Sequence, residues 1–65
     1  MLRKKFFVVQ YSPHFLHAID GLGCGVLFVP IDGNWLVKVY EEQVEAFTQV
    51  LAALLEIKHV LENSN

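Results

Sequence analysis

Residues 12–25, Ser12-Pro13-His14-Phe15-Leu16-His17-Ala18-Ile19-Asp20-Gly21-Leu22-Gly23-Cys24-Gly25, decide the topology of this chain. Ser12 before Pro13 is a helix-start signal, with the hydroxyl as N-cap and proline at the first helical position. His14 to Asp20 then read as a short helix of about two turns, with Phe15 and Ile19 turned inward and Gly21 ending it. An irregular turn over residues 13–21 would use the same letters, because so short a helix has little stability of its own. Gly21-Leu22-Gly23-Cys24-Gly25 reads as a flexible joint. A helix here is a crossover, and a right-handed crossover makes the strands on either side of it parallel.

Upstream, Lys5-Phe6-Phe7-Val8-Val9-Gln10-Tyr11 is rich in aromatic and β-branched residues, so it reads as a strand. Both of its faces are largely apolar, the pattern of a strand covered on two sides. Downstream, Val26-Leu27-Phe28-Val29 is a second strand, and Pro30 restricts it to a sheet edge or ends it there. Asp32-Gly33-Asn34 is a hairpin signal between two apolar runs. The third strand, Asn34 to Tyr40, alternates, and Trp35, Val37 and Val39 make the better core face against Leu36, Lys38 and Tyr40. Glu41 to Glu62 contains no Gly or Pro and predicts a helix of about six turns. Its apolar residues, among them Val44, Phe47, Val50, Leu51, Leu54, Leu55, Ile57, Val60 and Leu61, fill an arc of roughly 220°, about twice what a surface helix needs.

The predicted order is β-α-β-β-α, an α+β fold with a three-stranded sheet and two helices on one face. The third strand is expected between the other two. In layout it resembles a ferredoxin-like sandwich lacking its last strand, a likeness of fold that carries no function.

The chain has 65 residues, and 54% of them are hydrophobic. That is one small domain, residues 1–65, with more apolar side chain than one copy of this size can shelter. An exposed apolar patch or association of identical chains, most simply a two-fold dimer, resolves the imbalance. Membrane insertion does not: the uncharged run Gly21 to Ile31 is too short to span and is broken by glycines and Pro30. Met1 to Val9 starts like a signal peptide, but its apolar core stops at Gln10. The single cysteine, Cys24, excludes an internal disulfide and fits a reducing, cytoplasmic setting. A net charge of −2, with Arg3, Lys4 and Lys5 crowded at one end, falls short of a nucleic-acid footprint. That basic cluster reads as a solubilising flank.

Four features carry candidate chemistry. His14 and His17, spaced i, i+3 and followed by Cys24, are metal-ligand types, but only half of a structural zinc pattern is present. Solvated histidines beside a joint account for the same letters. Cys24 with His17 as base would make a nucleophile, against which a lone cysteine is most often a small buried hydrophobe. Gly21-x-Gly23-x-Gly25 has the composition of a phosphate loop, yet it follows a helix and precedes a strand, the reverse of what the helix dipole requires. Trp35 with Tyr11 and Tyr40 could stack nucleobases, which the acidic balance opposes, and Trp35 fits an interface anchor or a core residue better.

The expected function is a small cytoplasmic interaction module, an adaptor, regulator or inhibitor, that binds itself and another protein. It is not expected to be an enzyme or to need a cofactor. Phe7, Val9, Trp35, Val50, Leu54, Ile57 and Leu61 are the interface candidates. A different class remains open: a small-ligand sensor with a pocket between protomers, lined by His14, His17, Cys24 and Trp35.

Overall fold

The computed structural model describes residues 5–63. Met1 to Lys4, which include Arg3 and Lys4 of the basic flank, and Ser64 and Asn65 lie outside that span. Four strands, β1 (Phe7–Tyr11), β2 (Leu16–Ile19), β3 (Cys24–Ile31) and β4 (Asn34–Glu41), precede one helix, α1 (Phe47–Glu62). The strands form an antiparallel meander in the order β1-β2-β3-β4. The expected β-α-β-β-α sandwich is therefore incorrect, because residues 16–19 are a strand.

The local signals around that strand are present but have a different outcome. Ser12 Oγ does accept hydrogen bonds, from the main-chain N–H groups of His14 (3.1 Å) and Phe15 (3.3 Å). Ser12 N–H in turn donates to Phe15 O at 2.9 Å. These bonds close a tight reversal, and the same hydroxyl geometry that caps a helix here turns one strand into the next. At the far end, Asp20 Oδ1 accepts from Leu22 N–H (2.7 Å) and Cys24 N–H (3.0 Å). Gly21 and Gly23 take the positive φ values that loop needs, 78° and 107°. The supposed crossover is two hairpin turns with β2 between them.

The Asp32–Gly33 hairpin forms as expected, both residues at positive φ, in the sense that matches strand twist. Strand positions differ from expectation: β3 is central and β4 is an edge. Pro30 is tolerated in a central strand because β2 stops at Leu16, opposite Phe28, so no strand faces the proline nitrogen.

The long helix is shorter than its composition suggests. Glu41 ends β4, residues 42–46 form a turn, and the helix starts after Ala46, whose N–H donates to Gln49 Oε1 at 3.2 Å. Val50 and Leu54 seal the helix onto Leu27, Val29 and Tyr40, with Phe15, Leu36, Phe47 and Leu51 around them. All five central residues are buried, and Leu27 and Val29 fully so. The helix thus covers β3 and β4 on one face of the sheet, reaching β2 through Phe47 on His17, while β1 lies beyond it. From Leu55 onward no helix residue is buried.

Candidate functional site

Strand alternation divides the sheet into two faces. Leu27, Val29, Leu36 and Tyr40 meet the helix. Trp35, Val37 and Val39 point to the other side and are each more than half exposed. The expected core face of this strand is therefore inverted: Leu36 and Tyr40 go inward, with Lys38 on the same side at the rim, paired to Glu45 at 3.7 Å. Both faces of Asn34–Glu41 are apolar, so alternation alone does not rank them.

The open face is continuous across the sheet. The register sets Val39 beside Val26, which is beside Ala18, which is beside Val8. In the next row Val37, Phe28, Leu16 and Tyr11 follow one another. Phe28 and Trp35 meet edge to face, with ring centroids 6.2 Å apart. Val26 and Ala18 are shielded by these neighbours, while Val8, Tyr11, Trp35, Val37 and Val39 stand exposed around them. No other described segment covers this face.

Of the expected interface residues, Phe7 and Val9 are exposed on β1 and Trp35 on β4. Ile57 and Leu61 are exposed on the second half of α1, where they border an apolar hollow with Ala53 and Val60. Val50 and Leu54 are instead core residues, 2% and 6% exposed, and are corrected to that role. Sequence reading missed Val8, Val37 and Val39; their β-branched alternation was visible, but which side it faced was not.

The candidate ligand residues are dispersed. His14 is exposed in the first turn, and Trp35 stands at the opposite end of β4 from the position that pairs with Cys24. Cys24 shares the alternation of Val26 and Phe28, whereas His17, opposite Leu27, faces the helix. The sheet itself therefore separates Cys24 from His17. No cluster of three His, Cys, Asp or Glu side chains gathers among the described residues. The glycine loop offers no anion cradle, since Asp20 already occupies the amides of Leu22 and Cys24.

One polar pair does lie inside. His17 Nε2 and Tyr40 Oη share a hydrogen bond of 2.7 Å, and the imidazole stacks on Phe47 with centroids 4.4 Å apart. Gly25 makes room for it: a Cβ there would come within 2.5 Å of the Tyr40 ring. Tyr40 therefore lies across β3 to reach β2. Burial lowers the His17 pKa from its ordinary 6.5, partly offset by Glu42. Burial, then Glu42 and Cys24, raises that of Tyr40 above 10.0. Both groups are thus held neutral, a satisfied polar contact beneath the helix N-terminus rather than a reactive dyad.

What this chain presents outward is an apolar sheet face on a small α+β scaffold. Compared with protein-family models, curated proteins and solved structures, the chain matches none. No helix among the described residues is long and apolar enough to cross a membrane.

Proposed function

We propose that this chain is a self-associating interaction module of the cytoplasm whose open sheet face receives a protein partner. The observation that carries the reading is the row of exposed Trp35, Val37 and Val39 continued by Phe28 and Val8. A contiguous apolar face of this kind is rare on a monomer with nothing to bind. Trp35 supplies the rigid aromatic anchor around which binding energy concentrates.

The test combines sedimentation equilibrium with affinity capture from the native source, using wild type and a Trp35→Ser/Val39→Ser variant. The expected result is an oligomeric wild type that retains a stoichiometric protein, and a variant of unchanged stability that loses it. A wild type that is monomeric at high micromolar concentration, or a variant that retains the same partner, overturns the proposal.

A further inference from the structure

We infer that two copies of this chain pair antiparallel through β4, with Val37 of each on the two-fold axis. The inference deepens the self-association reading above and rests on it. The sheet has two edges, and only one is guarded. β1 has five residues and a register shift between Val8 and Gln10, the kind of irregularity that disrupts edge pairing. β4 has eight residues, contains no proline, and keeps unbroken register with β3 from Asn34 to Glu41.

The direction of its main-chain groups follows from the hairpin. Ile31 and Asn34 flank a two-residue turn, so Asn34, Leu36, Lys38 and Tyr40 bond inward to β3. The bond from Glu42 N–H to Gly23 O, at 2.8 Å, continues that series. Trp35, Val37 and Val39 consequently turn their N–H and C=O groups outward, with no strand beside them among the described residues. A symmetric antiparallel ladder can centre on an outward-bonding or an inward-bonding residue; Val37 and Lys38 give the longest overlap within β4, and a Lys38 centre would set two like charges opposite each other.

That register is self-complementary. Val37 meets Val37 of the second copy, Trp35 meets Val39, and Leu36 meets Lys38. The aromatic–β-branched pairs are of the kind that stabilise a sheet, and no like charges stand opposite each other. Lys38 already has its counterion in Glu45 of its own chain. Beyond Tyr40 the ladder would bring Glu42 opposite Asp32, which marks its end. The two-fold axis stands perpendicular to the sheet, so both helices lie on one side and both open faces join on the other.

Val37→Pro removes an outward N–H that β3 does not use, and proline is tolerated on such an edge. Val37→Thr keeps the N–H and serves as the control. Sedimentation equilibrium should show a dimeric wild type, a dimeric Val37→Thr, and a folded Val37→Pro whose dissociation constant rises at least tenfold. Independently of folding in the proline variant, a spin label at Gln10→Cys in a Cys24→Ser background reports the geometry. Gln10 lies in the row of His17, Leu27 and Lys38, beside the axis. Seven strand spacings of about 4.8 Å then separate the two labels by about 34 Å. A dimer that survives Val37→Pro, or labels much closer than that, overturns edge pairing and leaves self-association standing. A monomeric wild type overturns both.

Discussion

Leu27 and Val37 sit on neighbouring strands and differ by little more than a methylene, yet one is fully buried and the other half exposed. The difference lies in what covers each face. The helix-side face is a core assembled from Leu27, Val29, Tyr40, Val50 and Leu54. The other face is equally apolar, and no described segment packs against it. Composition sees one excess of hydrophobic residues; the fold separates it into a part that holds the protein together and a part available for binding.

Substitutions can break that contrast. The largest effect should come from Leu27→Ala, which removes methyl groups from a fully buried site. A loss of about 2–5 kcal/mol is expected, most of the stability of so small a domain, visible as a collapsed urea midpoint. Gly25→Ala comes next, at about 1–3 kcal/mol, because the new Cβ would occupy the Tyr40 ring position and push it off His17. A full urea curve on this variant, with tyrosine fluorescence as a second signal, checks both parts; an unchanged midpoint contradicts the close approach.

The His17–Tyr40 pair should also make stability depend on pH. The His17 pKa is lowered in the folded state, so the unfolded chain binds more protons in acid. Its contribution is complete above pH 6.5 and declines as pH falls below it. Tyr40, with its pKa raised, contributes fully below pH 10.0 and loses stability as pH rises past that. Thermal midpoints across pH should therefore fall on both sides, and His17→Phe should flatten the acid side only. An acid limb of the same steepness in that variant would assign it elsewhere. The smallest effect is expected on the open face: Val39→Thr should change the stability of the isolated monomer by no more than about 0.5 kcal/mol. A cost comparable to Leu27→Ala would mean that this face is covered in solution.

Legibility in the sequence followed the range of the interactions. The Asp32–Gly33 turn and the strands flanking it were readable, because a two-residue hairpin is set by local backbone chemistry. Residues 12–20 were not, since Ser12 and Pro13 supply the same hydrogen-bonding geometry to a helix start and to a strand reversal. Only pairing of Leu16–Ile19 with β1 and β3 settles it, and that is tertiary. Pro30 misled for a related reason: it requires a vacant side only at its own position, which an early end of β2 provides. Glu41 and Glu42 favour a helix by propensity and so predict too early a start for α1, while main-chain pairing holds Glu41 in β4. At the candidate surface, Trp35 reads as either an interface anchor or a core residue, and only the fold places it on the open face. The burial of His17 could not, because it depends on the absence of a side chain at Gly25 on a different strand.

Sheet order in this molecule is the same as chain order, so each strand is zipped onto the one made just before it. Such a topology closes only short loops on the way to the native state, and refolding should be fast for a β-rich domain. The helix, however, comes after all four strands. Until it docks, the nascent meander is wet on both sides, and a chain stopped before Phe47 should be prone to clump rather than to wait.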